Sequence, residues 1–402
     1  MPQAATDAEA AGYPTVLGKE PQENGAAEQT LRLFLCGDVM IGRGIDQILP
    51  HPCDPALHEG YTRSAIDYVR LAEAAHGPIP RNVPPAYIWG AALDELEQMR
   101  PDARVVNLET SITYSETYLP KGINYRVSPP NARCLAAAGI DCCTLANNHV
   151  LDWGRRGLLD TLAALKELGI SHAGAGHDAA EASAPAVLEA GSKGRVLVYS
   201  FASATSGTPR DWAAGPQTAG VNLLPNLSEA TANSVCAQIA AARRPRDVVV
   251  ASVHWGSNWG YEIAESQRRF AHTLVETAGV SVVHGHSSHH AKALEVYHGG
   301  LILYGCGDFL NDYEGISGYE QYRDDLPLMY FADFDPGSGG LVSLEIVPLQ
   351  IRNFRLVPPD AHDASWLART LARQSERFGV RVDLGPDRRF AISWPGATAR
   401  PT

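Results

Sequence analysis

Residues 284–290 read HGHSSHH and place four histidines within seven residues, directly after the apolar run VSVV. Imidazole titrates near neutral pH and is the commonest metal ligand in proteins. A histidine cluster at the end of a buried strand therefore indicates metal binding or proton transfer. The alternative for each histidine is an ordinary place in the strand or in an exposed loop.

Similar polar clusters follow other apolar runs: GDVM at 37–40, NLET at 107–110, NNHVLDWG at 147–154 and VHWG at 253–256. Their carboxylates, amides and imidazoles are donors that hard and borderline metal ions prefer. Asp152 is equally compatible with capping the helix that follows. The acidic, amide and imidazole residues of these clusters, together with two from the histidine run, are Asp38, Asn107, Glu109, Asn147, Asn148, His149, Asp152, His254, His286 and His289.

The elements that position these residues are short apolar runs separated by helical patterns. LRLFLCGDVM, ARVVNLET, DCCTLANNH, RVLVYSFAS, DVVVASVHWG, VSVVHGHSSH and LILYGCGDF predict buried strands that end in loops. GLLDTLAALKELG predicts a helix that places Leu158, Leu162 and Leu165 on one face and ends at Gly169. SQRRFAHTLVETAG predicts a second helix of this kind.

The remaining segments add a helical insertion and a C-terminal antiparallel unit. The pattern from Tyr61 to Met99 is mostly helical, interrupted by PIPRNVPP, and we place it near the site. LMYFADFDP and GGLVSLEIVPLQIRNFRLVPP predict antiparallel strands joined by a Gly-rich turn, and a last helix is expected around Trp366 to Phe378. Because ligands gather at the carboxyl ends of strands in α/β sheets, the scattered polar clusters predict one shared site within one domain.

Five segments occur in an order typical of one protein family. GDVMIGRG, NLETSIT, LANNHVLDWG, VHWG and LILYGCGDFLNDY resemble the CapA family of poly-γ-glutamate capsule-synthesis proteins, within the calcineurin-like metallophosphoesterase superfamily. The resemblance implies an α/β fold, a four-layer αββα sandwich of the metallophosphatase type. We accordingly predict a flexible arm over residues 1–30, one CapA-like domain over 31–380 and a C-terminal tail over 381–402.

The same resemblance implies a site for two metal ions. Carried over residue by residue, it makes His149 the acid that stabilises a leaving group, with Asp38 and Glu109 as further catalytic residues. The implied metal ligands are Asp38, Glu109, Asn148, His254, His286 and His289. The implied cofactor is Mn²⁺, Zn²⁺ or Mg²⁺.

This sequence departs from the superfamily pattern at three places. The Asp-x-His position reads Asp38-Val39-Met40, and Asn107-Leu108-Glu109 stands where the bridging aspartate is expected. The Gly-His-x-His motif is stretched to His286-Ser287-Ser288-His289. Each departure lowers the expected affinity for at least one of two metals. The sequence therefore leaves open two ions, one ion or none.

The loop KGINYR at 121–126 follows the NLETSIT motif and is polar and partly basic. Lys121, Tyr125 and Arg126, together with Arg43, are candidates for binding a substrate carboxylate or phosphate, which arginine contacts bidentately. A solvated loop without a binding role is the alternative.

Composition excludes some classes of partner. The 402 residues carry a formal net charge of -12 and no long Lys/Arg stripe, which argues against a nucleic-acid partner. The N-terminal residues have neither a basic start nor an apolar core, and no apolar run reaches the length of a membrane span. The seven cysteines form no CxxC pair. We predict a cytoplasmic protein with reduced cysteines and no membrane partner.

Three functions are compatible with the sequence. The first is metal-activated hydrolysis of a peptide, γ-glutamyl or other amide-bearing substrate, or of a phosphoester. The second is a metal-independent peptide epimerase of a natural-product pathway, in which a carboxylate and an imidazole exchange a proton at Cα. The third is a non-enzymatic subunit of polyglutamate synthesis. Members of the family that serve capsule synthesis typically carry an N-terminal membrane anchor. We find no such segment in this sequence and therefore expect a soluble enzyme.

Overall fold

The fold was analysed in a computed structural model, which describes residues 30–396. Apart from Thr30, the predicted flexible arm over residues 1–30 lies outside the described residues, as do residues 397–402.

The helices and strands follow the chain in a mixed order. The helices are α1 (Arg43–Ile48), α2 (Ile66–His76), α3 (Ala91–Met99), α4 (Arg133–Ala137), α5 (Gly154–Glu167), α6 (Ala179–Ser183), α7 (Glu229–Ala242), α8 (Glu265–Ala278) and α9 (Ala361–Ser375). The strands are β1 (Leu31–Val39), β2 (Ala103–Leu108), β3 (Ser111–Ile112), β4 (Arg126–Val127), β5 (Cys142–Thr144), β6 (Ser171–Ala173), β7 (Ala175–Gly176), β8 (Ala186–Glu189), β9 (Arg195–Ser203), β10 (Gly220–Val221), β11 (Leu223–Leu224), β12 (Asp247–His254), β13 (Val282–His286), β14 (Leu294–Tyr297), β15 (Gly300–Leu303), β16 (Asp308–Leu310), β17 (Leu328–Phe334), β18 (Leu341–Pro348), β19 (Gln350–Ile351), β20 (Leu356–Val357), β21 (Arg381–Leu384) and β22 (Phe390–Ser393).

Two large sheets carry the fold. The first sheet has the order β21-β22-β18-β17-β1-β2-β5-β6, with β16 paired to β1. Its β1, β2, β5 and β6 are parallel, so their carboxyl ends lie at one edge, whereas β17 and β18 form the predicted antiparallel pair. The second sheet has the order β11-β9-β12-β13-β15-β14, with β8 paired to β9. Its β9, β12, β13 and β15 are parallel.

The two sheets face each other and are covered by helices on their outer faces. Alternate residues of β1, such as Leu33 and Leu35, pack with Val198 and Val250 of the second sheet in one core. The other face of β1 packs against α1 to α5, and α7 and α8 cover the outer face of the second sheet. The predicted four-layer αββα sandwich is therefore confirmed. Because both sheets share the central core, we interpret residues 31–393 as one domain.

Helix α5 forms for the reasons that its sequence indicates. Leu158, Leu162 and Leu165 are all buried, because the 3.6-residue period brings them to the face that packs on the first sheet. Gly169 follows with φ of 70°, a left-handed conformation that glycine adopts at low cost after a helix. The helical insertion predicted between Tyr61 and Met99 contains α2 and α3.

The predicted C-terminal tail from residue 381 is wrong for residues 381–393. β21 and β22 form a hairpin, and β22 extends the first sheet through antiparallel pairing with β18. Val382 and Phe390 are buried in the core between the sheets. The short, charge-rich segment conceals this role, because only Val382 and Phe390 are fully buried within residues 381–393, while Ile392 is partly buried against the same core.

Replacing Phe390 by alanine should lower the free energy of unfolding by about 3 kcal/mol, since a fully buried ring leaves a cavity between the sheets. Leu384→Ala in the same hairpin is the matched control. Leu384 is 40% exposed, so its loss should change stability by no more than about 0.5 kcal/mol. Equal urea midpoints for the two variants would contradict the docked hairpin.

Within residues 30–396, no helix combines the length and the apolar character that crossing a membrane requires.

Candidate active site

The ends of the parallel strands bring together side chains from both sheets. Asp38 lies at the end of β1, while His254 and His286 end β12 and β13 of the second sheet and stand opposite each other in the strand register. A β-carbon at Gly37 would lie 1.7 Å from the carbonyl oxygen of Gly307. Only glycine therefore permits this close approach, which places β16 beside the end of β1.

Asp38, His254 and His286 form a compact, fully buried donor cluster. The Nδ1 atoms of His254 and His286 lie 2.7 Å apart, and His286 Nδ1 lies 3.8 Å from Asp38 Oδ1. One donor atom from each residue lies within 4.8 Å of the others. Two imidazole nitrogens and one carboxylate oxygen at this separation fit a divalent ion that keeps an open coordination position.

Neighbouring side chains orient the two imidazoles. Ser252 Oγ lies 2.7 Å from His286 Nε2, and Asn148 Oδ1 lies 2.8 Å from His254 Nε2. With these Nε2 atoms engaged, both Nδ1 atoms point into the cluster. Such outer contacts fix the ring orientation that metal ligation requires. Burial lowers the pKa of both histidines well below the ordinary value, so the rings are neutral and their nitrogens can act as ligands.

Two carboxyl groups share this buried space. Asn107 Nδ2 donates to Asp38 Oδ1 at 2.7 Å and to Glu109 Oε2 at 3.3 Å. Burial, followed by the charge of Asp308, raises the pKa of Asp38 to about 7. Burial, followed by the charge of Asp38, raises the pKa of Glu109. A cation in the cluster would favour the ionised carboxylates, because it would offset both causes.

His149 lies at the edge of the donor cluster, and only its Nδ1 side is held by hydrogen-bond partners. Its Nδ1 lies 2.7 Å from Asp152 Oδ2, and its Nε2 faces Glu109 Oε1 at 3.8 Å. Burial lowers the pKa of His149 to about 4, despite the opposing charge of Asp152. The imidazole is therefore neutral at pH 7, and it must accept a proton before it can donate one.

Lys121 supports this arrangement. Its Nζ donates to Asp152 Oδ1 at 2.7 Å and lies 3.2 Å from His149 Nδ1. The carbonyl oxygen of Asn148 accepts a further hydrogen bond from the same ammonium. The backbone N–H of Tyr125 donates to the other oxygen of Asp152 at 2.7 Å. The predicted substrate-binding Lys121 is thus engaged within the protein, where it fixes Asp152 and the orientation of His149.

His289 lies beside the donor cluster, and both of its ring nitrogens have protein partners. Its Nδ1 lies 2.8 Å from Asp308 Oδ1, and its Nε2 lies 3.0 Å from Asn258 Nδ2. Burial lowers the pKa of His289, but the negative charge of Asp308 and its hydrogen bond to the ring raise the pKa by more, so the pKa of His289 lies above its ordinary value. Ser287 has φ of 95°, and its N–H donates to Asp38 Oδ2 at 3.2 Å. In the stretched motif the backbone N–H of Ser287 therefore contacts Asp38, and the second imidazole, that of His289, contacts Asp308 instead.

The arginines of the predicted substrate-binding set are also engaged. Arg43 is 3% exposed; its guanidinium is paired with Asp312, and its Nη1 donates to Glu59 Oε1 at 3.0 Å. The Arg126 guanidinium lies over the Trp153 ring, 4.0 Å from its centroid. Two carboxylates neutralise the buried guanidinium of Arg43, which corrects the expectation of a free charge at that residue. Arg126 stacks on the indole and donates to the carbonyl oxygens of Ser115 and Asp54, so its role in substrate binding stays a prediction.

Tyr125, the fourth predicted substrate-binding residue, is buried and directed to a second phenol. Its Oη lies 2.6 Å from Tyr313 Oη. Its ring packs edge-on against His149, with the centroids 4.6 Å apart. Tyr125 therefore forms part of the wall around His149, and its hydroxyl contacts Tyr313.

A cavity of about 560 Å³ opens beside the cluster. His289 and Tyr313 line its inner part, and Trp259, Ile316 and Tyr319 line its outer part. Neither Lys121 nor Arg126 is among its lining residues, whereas Arg43 is. Asp38, His254 and His286 do not line this cavity. His289, which does, connects the cavity to Asp308 through its hydrogen bond.

Comparison with known proteins decides the family. The sequence profile described as "Bacterial capsule synthesis protein PGA_cap" matches residues 32–313, more than half of the chain. The chain belongs to the PGA_cap family. This membership confirms the CapA resemblance of the five motifs, all of which begin within the matched residues.

Relatives of this PGA_cap chain have been named after polymer synthesis. A Mycobacterium tuberculosis protein named "Probable polyglutamine synthesis accessory protein" is 47% identical over 88% of this chain and 94% of the relative. The Bacillus subtilis "PGA biosynthesis protein CapA" is 26% identical over 69% of this chain and 70% of the relative. A solved structure titled a novel phosphatase, from Mycoplasma pneumoniae, has 11% identity and a TM-score of 0.43, with 83% of this chain and 96% of that chain covered.

Sequence reasoning assigned Ser252, Asn107 and Asn258 no role in the PGA_cap chain's site, and it left Asp152 open between a site role and a helix cap. Ser252 lies two residues before His254, so strand alternation places both on one face, and that period was a usable signal. Asn107 is related to Glu109 in the same way. Asp152 lies three residues after His149 and binds it, whereas the helix cap at Trp153 has no side-chain hydrogen bond. No local pattern indicates Asn258.

The seven cysteines and His284, the first histidine of the run at 284–290, have structural roles. All seven cysteines are free and buried, and burial raises the pKa of Cys306 well above the ordinary value, which disfavours a nucleophilic thiolate. His284 Nε2 lies 2.7 Å from the carbonyl oxygen of Cys36, and burial lowers the pKa of His284 to about 4. A neutral His284 therefore connects the two sheets through a buried hydrogen bond.

Proposed function

We propose that this PGA_cap protein is a metal-dependent hydrolase that cleaves an amide bond in a peptide or γ-glutamyl substrate. The observation that best supports the proposal is the position of His149. One of its ring nitrogens is held by Asp152, and the other faces Glu109 at the edge of the donor cluster. A neutral base beside a divalent-ion site is the arrangement that hydrolysis requires.

The donor cluster would hold the ion through Asp38, His254 and His286, with Asn148 and Glu109 adjoining it. A divalent ion such as Mn²⁺, Zn²⁺ or Mg²⁺ polarises the bond under attack and lowers the pKa of a bound water. The three protein donors leave room for substrate, which is characteristic of catalytic sites. His289 would help to shape the cavity, because its ring nitrogens are occupied by Asp308 and Asn258.

His149 would transfer the proton. Its Nε2 accepts a proton from the attacking water, and the imidazolium that forms donates this proton to the leaving nitrogen. Asp152 stabilises that imidazolium through Nδ1 and keeps the reactive nitrogen directed to the site. Lys121 fixes Asp152 in turn. The amide bond breaks, the acid and the amine separate, and His149 returns to its neutral form.

The names of the relatives direct the choice of substrate. One relative is named for polyglutamine synthesis and another for PGA biosynthesis. We propose amide-linked chains, which include γ-glutamyl polymers and other peptides, as the substrate class of this chain. The seven free, buried cysteines are compatible with the reducing conditions of the cytoplasm, which we propose as the compartment.

A specific observation supports peptide epimerisation as the second candidate. Burial raises the pKa of Asp38 to about 7, so this carboxyl can exchange protons near neutral pH. In this reaction one group removes the Cα proton, and a group on the opposite side returns a proton to the carbanion.

One experiment separates these functions. Purified protein is incubated in D₂O with γ-glutamyl oligomers or neutral peptides, with and without a chelator, and products are analysed for released amine and Cα deuterium. The proposal predicts amine release that a chelator abolishes and that Mn²⁺ or Zn²⁺ restores. Cα deuterium without cleavage in a metal-free preparation would establish epimerisation instead. Substrate binding with neither reaction would leave the accessory, non-enzymatic role and overturn the proposed activity.

A further inference from the structure

The cavity beside the donor cluster continues outward into a second cavity. The second has a volume of about 550 Å³ and shares Tyr61 and Ile316 with the first. It extends over α2, where Leu71 forms part of its wall. Together the two cavities form a groove that begins at His289 and ends at the protein surface.

Exposed aromatic and aliphatic side chains form part of the walls of this groove. Tyr61 is 69% exposed, Tyr319 47% and Ile316 45%, and all three belong to the groove. The rings of Trp259 and Tyr319 are stacked, with centroids 4.0 Å apart and an interplanar angle of 4°. A cluster of exposed apolar side chains next to a reaction centre is typical of a ligand-binding groove.

The charges of the groove disfavour an anionic ligand. All three arginines in its walls are paired within the protein. Arg43 is paired with Asp312 and Glu59, Arg323 bidentately with Asp363, and Arg70 with Asp67 on the surface of α2. Glu320 and Asp324 add carboxyl groups to the same walls. A chain with a carboxylate on every residue would therefore meet like charges and no unpaired arginine.

We propose that this groove binds an extended peptide segment with an uncharged aromatic or large aliphatic side chain, so that the substrate is an apolar peptide instead of a polyanionic glutamyl chain. The inference rests on the proposed function, because it assigns the substrate of that same site. The part of the peptide beyond the reacting amide lies along Tyr61, Trp259 and Tyr319. Burial of the peptide's apolar side chain against these rings stabilises the complex, whereas the arginines in the groove walls are already paired within the protein.

The test measures binding without turnover. His149→Ala, which keeps the groove intact, is titrated calorimetrically with the peptide acetyl-Ala-Ala-Phe-Ala-Ala-amide and with a γ-glutamyl pentamer. We expect the neutral peptide to bind at least about tenfold more tightly, in line with burial of one aromatic side chain. Adding Trp259→Ala or Tyr319→Ala should weaken peptide binding by about tenfold. Tyr114→Ala is the matched control, since Tyr114 is 56% exposed and lies outside both cavities.

The outcomes distinguish this inference from the proposed function. Equal or tighter binding of the γ-glutamyl pentamer would overturn the inference, and so would unchanged peptide binding in the Trp259→Ala and Tyr319→Ala backgrounds. Peptide binding to the groove without cleavage by the wild-type protein would leave the inference in place and contradict the hydrolase. Cleavage of γ-glutamyl chains in preference to neutral peptides would support the hydrolase and contradict the inference.

Discussion

Replacing His149 by alanine should lower turnover by about 10²- to 10⁴-fold, the usual contribution of a positioned acid–base group. The variant should keep its fold, because His149 lies in the loop after β5 and contributes little to the core clusters. Turnover is measured as amine release at saturating metal, and the fold by circular dichroism and the urea midpoint. The loss should appear in kcat, because the ring acts on the proton and not on substrate affinity.

Asp152→Asn provides a graded comparison for His149→Ala. The amide keeps the shape of the side chain but removes the charge that stabilises the imidazolium, so turnover should fall by less than in His149→Ala. His177→Ala is the matched control, since the His177 side chain is 64% exposed and paired with Glu181 outside the site. Wild-type kcat in His149→Ala would exclude both the hydrolase mechanism and the orienting role of Asp152.

Replacing Asp312 by alanine should lower the free energy of unfolding by about 3 to 5 kcal/mol, because it leaves the buried guanidinium of Arg43 without its main partner. The side chains of this pair are each 1% exposed. Asp312 also accepts a hydrogen bond from the backbone N–H of Gly44 at 2.9 Å, which would be lost as well. The measurement is equilibrium unfolding in urea, with the wild-type chain as reference.

Arg70→Ala is the control for this buried pair. The Arg70 side chain is 72% exposed and pairs with Asp67 on the surface of α2, so its removal should change stability by no more than about 1 kcal/mol. A destabilisation by Asp312→Ala that does not exceed this control would mean that water or another group compensates Arg43. The assignment of Asp312 as the main partner of Arg43 would then be wrong.

The layers of the fold could be predicted because local signals determine them. Apolar runs such as DVVVASV and the leucine face of α5 specify buried strands and their covering helices without knowledge of distant residues. The positions of Asp38, His254 and His286 followed from a topological rule, since parallel strands present their carboxyl ends at one edge. The rule acts within one sheet, whereas Asp38 belongs to the first sheet and both histidines to the second. Their assignment to one metal site therefore rested on the family resemblance.

Other features of the site depend on backbone geometry and distant partners, which sequence patterns do not encode. The one-residue extension at Ser287 was visible, but its consequence was not: a left-handed backbone turns the N–H to Asp38 and moves His289 to Asp308. Arg43 was expected to be free because its carboxylate partner, Asp312, lies 269 positions away. The hairpin at 381–393 was missed because one buried side chain per strand gives too weak an alternation.

The central claim is that Asp38, His254 and His286 bind a divalent ion in the folded protein, and calorimetric titration of the chelated protein with Mn²⁺ and Zn²⁺ tests it most directly. The wild-type chain should bind at least one ion, and His286→Ala should weaken that binding by tenfold or more, since about 1.4 kcal/mol corresponds to each factor of ten. His272→Ala, which removes a histidine paired with Glu295 outside the cluster, should bind as the wild type does. Absence of binding by the wild type, or equal affinity in His286→Ala, would contradict the metal site.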